Sequence, residues 1–181
     1  MLGELKKRVG IFGGSFDPPH KGHVEIAKIA LKRLKLKKLF WVITTKNPFK
    51  KKPLFKLEHR ILKSKIATRN IKNIKVVRQE NKVKSSRTID LVNYFINKEK
   101  QKNLYLILGA DSLLDFHKWT KWKKIVKLVV LVVFSRKGYT KKSKKSIVVK
   151  YINKKNIIFI NNKNINFSSS YIKKNLSKNF K

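Results

Sequence analysis

The sequence predicts an α/β protein: an open, mostly parallel sheet with helices on both faces. Three observations predict it. Short continuous apolar runs recur along the 181 residues, stretches with helical spacing fall between them, and the two kinds alternate along the chain. Continuous apolar runs suit parallel strands buried on both faces. Alternation of strand and helix points to right-handed crossovers within one sheet.

Taken in order, the strand candidates are Val9–Phe12, Leu39–Thr45, Ile74–Val77, Leu104–Leu108, Leu128–Phe134 and Ile157–Ile160, with Ile74–Val77 the weakest. A first helix carries Val24, Ala27, Leu31 and Leu34 on one apolar face. A second carries Ile61, Leu62 and Ile66, and a third Ile89, Val92 and Ile96. Residues 141–156, KKSKKSIVVKYINKKN, are the most polar and irregular stretch and read as a surface connection around one short strand. No internal repeat is visible. The length suits one domain with a real core, spanning 1–181. All four prolines, Pro18, Pro19, Pro48 and Pro53, follow predicted strands, where loops shape a site in this architecture.

Composition narrows the classes. The absence of cysteine excludes disulfides and thiolate metal sites and favours a reducing compartment. The N-terminal MLGELKKRVGIF lacks the apolar core of a signal peptide. The longest apolar run, Leu128–Phe134, is far too short to span a membrane. These features read as a soluble, cytoplasmic protein without a membrane partner. The formal charge of +38 invites a nucleic-acid reading. However, the lysines are spread along the chain, with modest clusters at Lys50–Lys52 and Lys141–Lys145, and no helix-turn-helix, RNA-binding or zinc-finger signature accompanies them. Lysine, asparagine and isoleucine are used everywhere, as AT-rich coding would favour. Compositional drift is therefore the better reading, and no specific nucleic acid is expected.

The informative stretch is Gly13 to His23, GGSFDPPHKGH. It contains neither Gly-Lys-Ser/Thr nor G-x-G-x-x-G. Gly13 and Gly14 end the first strand with backbone that turns sharply and lets a ligand approach. Pro18 and Pro19 stiffen the loop, and Gly22 allows close packing as the helix begins. The first helical turn offers free backbone N–H groups, a natural anion site. His20 and His23 lie at that turn, where they can hydrogen-bond phosphate oxygens. With only His59 and His117 as further histidines, a zinc set is not supported, and no metal ligand is assigned.

This stretch resembles the G-G-x-F-D-P-x-H-x-G-H signature of the nucleotidyltransferase superfamily, whose members join a nucleoside triphosphate to a phosphate-bearing acceptor and release pyrophosphate. The resemblance implies that Gly13, Gly14, Ser15 and Phe16 line the ATP loop. It implies too that His20 and His23 are catalytic, contacting the triphosphate and stabilising charge at the α-phosphorus, work that is mostly positioning and charge neutralisation. The acceptor phosphate is already anionic, so no general base is needed; Asp17 need not be one and is equally a loop-bracing residue.

Other stretches are similar, in collinear order, to bacterial nicotinate-nucleotide adenylyltransferases. Leu108–Trp119, LGADSLLDFHKW, resembles their G-x-D-S-L…W segment, and Ser135–Tyr139, SRKGY, their R-x-G-Y. Ser86–Val92 resembles S-Y-T-x-D-T-L with Arg87 for tyrosine, and Asn47–Lys50 resembles P-P-H-K with Phe49 for histidine. Phe167–Lys173 resembles I-S-S-T-x-I-R with Lys173 for arginine. The implied reaction joins AMP from ATP to nicotinate mononucleotide, with Mg2+ accompanying ATP. Its products are nicotinate adenine dinucleotide and pyrophosphate, a step of NAD biosynthesis.

By the same resemblance Gly109, Asp111 and Arg136 contact ATP, and Lys50, Thr88 and Trp119 the acceptor. The resemblance places Trp119 against the nicotinate ring. Each has a plainer alternative: Asp111 as a helix N-cap, Thr88 as a helix cap, Trp119 as a core residue. A C-terminal helical segment, about 168–181, would begin with Ser168, Ser169 and Ser170 and hold the triphosphate tail with Lys173, which keeps the charge of arginine without its fork. The geometry agrees. In a Rossmann-like sheet the crevice lies at the carboxyl ends of strands where strand order reverses. There the first strand, ending in Gly13–Gly14, neighbours the fourth, ending in Gly109–Asp111. Rivals are a pantetheine-phosphate adenylyltransferase of the same superfamily and a non-catalytic, basic nucleic-acid-binding protein. Oligomeric state is left open, a homo-oligomer included.

Overall fold

Six parallel strands form one sheet in the order β3-β2-β1-β4-β5-β6. They are β1 (Arg8–Gly14), β2 (Lys38–Ile43), β3 (Ile74–Arg78), β4 (Asn103–Gly109), β5 (Val130–Phe134) and β6 (Ile157–Ile160). The computed structural model describes residues 8–45 and 52–162. Between the strands run α1 (Lys21–Arg33), α2 (Leu57–Thr68), α3 (Thr88–Asn97), α4 (Ala110–Asp115), α5 (Trp122–Leu128), α6 (Thr140–Lys144) and α7 (Ile147–Tyr151). The expected α/β architecture is therefore present, all six strands appear where the apolar runs lie, and β1 and β4 are neighbours.

Register explains why the runs are continuous. Phe12 pairs with Trp41 on β2 and with Ile107 on β4, so all three side chains point to one face; Ile11, Phe40 and Leu106 point to the other. One face buries Val9, Ile11, Val42, Leu106 and Val133 against α3, α4, α5 and α7. The opposite face buries Phe12, Trp41, Ile107 and Val132 against α1 and Leu57 of α2. Strands with two covered faces need apolar residues at every position.

Three expectations are corrected. Leu128 ends α5 and the fifth strand begins at Val130, because the helix runs directly into the strand. The stretch 141–156, read as a surface connection around one short strand, instead contains α7, Ile147–Tyr151, whose Val148 is fully buried. β6 already occupies the sheet edge beside β5, so packing on α4 and α5 overrides the β-propensity of the run. Finally, α2 does not bury the face drawn through Leu62 and Ile66, which are 55% and 48% exposed. It buries Leu57, Arg60, Ser64 and Thr68 instead, because Arg60 bonds to backbone beneath the helix.

Candidate active site

The site is assembled where β1 feeds α1. Gly13 faces open space: a Cβ there would meet nothing within 4 Å, so bare backbone borders the crevice. Phe16 takes a left-handed φ of 45°, a conformation that disfavours bulky residues. Aromatic packing holds it there: its ring is buried and stacks on Trp41 at 4.3 Å between centroids. Asp17 is buried too and accepts the N–H groups of Leu54 at 2.8 Å and Phe55 at 2.9 Å. It braces the loop.

His20 occupies the N-cap position of α1 with extended backbone, and His23 is the third helical residue. Their rings stack at 3.7 Å. The His20 backbone N–H donates to His23 Nδ1 at 3.3 Å. With Nδ1 accepting, the neutral imidazole carries its proton on Nε2. Phe16 packs edge-on against His23 at 5.0 Å, and Phe12 and Trp41 approach at 6.1 Å. This aromatic floor fixes the plane of the ring. Burial, followed by the charge of Arg136, lowers the His20 pKa from 6.5 to about 4. His20 is therefore neutral at pH 7 and sits within the field of Arg136.

Asp111 and Arg136 belong to the same end of the sheet. Asp111 lies in the first turn of α4, directly after β4, and Arg136 follows β5. Their side chains form an ion pair. Gly109, not Asp111, holds the N-cap position, so the cap alternative for Asp111 is replaced by this pair. A Cβ on Gly109 would sit 2.5 Å from Asp111 Oδ1; the carboxylate folds back over the glycine. Gly109→Ala is expected to displace Asp111 and weaken ATP binding by about tenfold, the equivalent of one hydrogen bond to a charged group, with little change in melting temperature. Titration of each variant with ATP checks this, and unchanged affinity would show that the carboxylate position does not matter.

The remaining sequence-derived residues stand as follows. Thr88 is the first residue of α3, preceded by Arg87 at the N-cap position with no side-chain cap bond. Arg87 itself pairs with Asp90 at 2.8 Å. Trp119 is half-buried and packs on the fully buried Phe116 at 4.6 Å. Ser15 is partly buried and its carbonyl oxygen accepts from Arg60. Lys50, Ser168, Ser169, Ser170 and Lys173 lie outside the described residues. Sequence reasoning missed Arg60, whose guanidinium reaches backbone at the ends of β1 and β2. The signal that could have found it is the helical spacing Leu57, Arg60, Ser64, Thr68. Among the described residues, no three or more His, Asp or Glu side chains gather into a metal-binding group.

Residues 11–175 match the cytidylyltransferase-like family. A relative from Pelagibacter ubique (strain HTCC1062), named as a probable nicotinate-nucleotide adenylyltransferase, is 49% identical over 173 residues, covering 96% of this chain and 96% of the relative. The chain belongs to the nicotinate-nucleotide adenylyltransferases. Another adenylyltransferase of this name, from Endomicrobium trichonymphae, is 33% identical over 96% of this chain and 88% of its own length. Among solved structures, the Plasmodium falciparum nicotinic acid mononucleotide adenylyltransferase complexed with NaAD superposes with a TM-score of 0.77 at 22% identity, over 93% of this chain and 83% of that one. That likeness is one of fold. The adenylyltransferase family replaces both rivals, the pantetheine-phosphate enzyme and the nucleic-acid-binding protein.

Proposed function

We propose that the chain transfers AMP from ATP to nicotinate mononucleotide, forming nicotinate adenine dinucleotide and pyrophosphate in NAD biosynthesis. One observation carries the placement of this chemistry. Two stacked histidines at the N-terminus of α1 share the carboxyl end of the sheet with the Asp111–Arg136 pair. Family membership supplies the substrates.

In this reading the acceptor phosphate oxygen attacks the α-phosphorus and the bond to pyrophosphate breaks. His23 donates from Nε2 to an α-phosphate oxygen, and His20 and the free N–H groups of α1 line the phosphate chain. Gly13, Gly14, Ser15 and Phe16 form the loop under the nucleotide, Phe16 through its backbone while its ring supports His23. Gly109 lets Asp111 lie where a ribose hydroxyl would meet it, and Arg136 holds that carboxylate in place. Lys50, Thr88 and Trp119 are proposed for the acceptor. A C-terminal segment of this single domain, with Ser168, Ser169, Ser170 and Lys173, is proposed for the triphosphate tail. The described carboxylates fit poorly as a metal site, since Asp17 is occupied by backbone N–H groups and Asp111 by Arg136. Magnesium is therefore assigned to the substrate, arriving as the ATP complex. No described helix is long and apolar enough to cross a membrane.

The test is pyrophosphate release and dinucleotide formation from MgATP with nicotinate mononucleotide, nicotinamide mononucleotide and pantetheine phosphate side by side. Turnover with the first is expected; folded protein that makes no dinucleotide overturns the reading.

The neutral His20 gives a pH dependence. Its folded pKa of about 4 lies below the ordinary 6.5, so between these values the unfolded chain binds the extra proton. Stability from this residue is complete above pH 6.5 and is lost as pH falls toward 4. His20→Asn is expected to flatten the fall of melting temperature over that window. An identical pH profile in wild type and variant would show that His20 is not held neutral.

A further inference from the structure

The polar face of α2 is organised around one side chain. Arg60 is 2% exposed. Its Nε donates to the Phe55 carbonyl at 3.1 Å. Nη1 donates to Ser15 O at 2.6 Å and Thr44 O at 2.9 Å, and Nη2 to Thr45 O at 3.1 Å. A guanidinium has five N–H donors in a rigid fork, and here the fork joins four main-chain carbonyls from three separate places. These are the turn after β1, the end of β2 and the residues ahead of α2.

Buried cations are destabilising unless fully partnered. Burial lowers the Arg60 pKa, and the nearby charges of Asp17, Glu80 and Glu58 offset part of that shift. The same loops are gripped from the donor side as well. Asp17 accepts the Leu54 and Phe55 N–H groups, and Glu80 accepts the Thr45 N–H at 3.0 Å. An apolar residue would fill the space under α2 without any desolvation. What it would lack is a connection between the nucleotide loop and the end of the neighbouring strand.

We infer that Arg60 is a positioning residue that fixes the separation between the nucleotide loop after β1 and the chain leaving β2. The inference rests on the proposed function, in which Ser15 and Phe16 of the loop after β1 lie under the nucleotide and Lys50, which follows β2 in sequence, is proposed for the acceptor. β2 pairs directly with β1, and the Arg60 fork joins Ser15 O to Thr44 O and Thr45 O, so it ties the loop proposed for one substrate to the chain leading to a residue proposed for the other. Transfer requires the acceptor oxygen and the α-phosphorus in near-attack geometry, and a misplacement of about 1 Å lowers a rate by about 10²-fold. Removing Arg60 therefore acts on turnover more than on the binding of either substrate alone.

Arg60→Lys and Arg60→Ala test this. Lysine keeps the charge but cannot span four carbonyls from one planar fork. Arg60→Lys is expected to remain folded, to bind ATP within about threefold of wild type, and to lose about 10²-fold in kcat. Low concentrations of guanidinium should restore part of the activity of Arg60→Ala; if that variant does not fold, Arg60→Lys decides. Near-normal kcat in Arg60→Lys, or ATP affinity falling in parallel with kcat, overturns the inference. Hydrogen exchange separates it from the functional reading. Backbone amides of residues 13–17 and 52–56 should open together in Arg60→Lys while α3 and α5 keep their protection. Uniform loosening of the whole domain would overturn the inference whatever the substrates prove to be.

Discussion

His23→Ala is expected to lower kcat by about 10²–10³-fold, the usual loss for one preorganised donor aimed at developing charge, while the melting temperature changes little. The side chain is partly buried, and its Nδ1 accepts the backbone N–H of His20. Its loss leaves α1 anchored by the rest of its buried face, Ala27 and Ala30. The donor, however, is unusually well set. Nδ1 is occupied, the plane is fixed by Phe16 and His20, and Nε2 carries the proton without the ring having to be charged. Such a bond strengthens as charge moves toward pyrophosphate, so it acts on the transition state more than on ATP binding. His20→Ala should lower turnover too, and the double variant should lose less than the product of the singles, because stacked rings act on one charge distribution. Steady-state kinetics with a melting curve on each variant decide the matter. Turnover near wild type in His23→Ala would return the pair to loop structure.

Trp41→Ala is expected to destabilise the protein by about 3–5 kcal/mol, a fall of roughly 10 °C in melting temperature. Trp41 is fully buried, contacts Phe12 and Phe16, and underlies His23. Truncation would leave a cavity directly below the His23 ring. Phe16, whose left-handed backbone depends on that stack, would lose its main support. Trp41→Phe is the informative control. The indole Nε1 is buried without a hydrogen-bond partner among the described residues, so phenylalanine removes an unpaired donor while keeping most of the ring. Denaturant midpoints should therefore rank wild type and Trp41→Phe close together, with Trp41→Ala far below. A loss under about 1 kcal/mol in Trp41→Ala would mean that the floor collapses to fill the gap.

The sheet was legible because both faces are covered, which turns each strand into an apolar run such as Leu39–Ile43 or Leu131–Phe134. The histidine loop was legible because glycine, proline and histidine each impose a distinct local geometry there. What escaped depends on partners far along the chain. Arg60 looks like one more exposed cation in a chain with 47 lysines and arginines, and only the carbonyls of Ser15, Thr44 and Thr45 make it a buried one. The same partners turn α2 so that Leu62 and Ile66 face outward, against the pattern of the sequence. Asp111 was legible as a site candidate but not as the partner of Arg136, which lies beyond the next strand. Val148 was missed for a related reason, since a run of five residues shows no period long enough to separate strand from helix.

The clamp formed by Asp17 and Arg60 grips the surrounding loops by their main chain. Carbonyls of Ser15, Thr44, Thr45 and Phe55 and amides of Leu54 and Phe55 serve it equally well whatever side chains they carry. Substitutions at these five positions keep every one of those bonds, with proline at 54 or 55 the exception because it has no N–H. Tolerance to mutation is therefore uneven around the crevice, wide at the positions held and narrow at the two that hold. A lineage whose codons drift toward lysine can rewrite the surface of these loops and retain their shape, provided that one aspartate and one arginine persist.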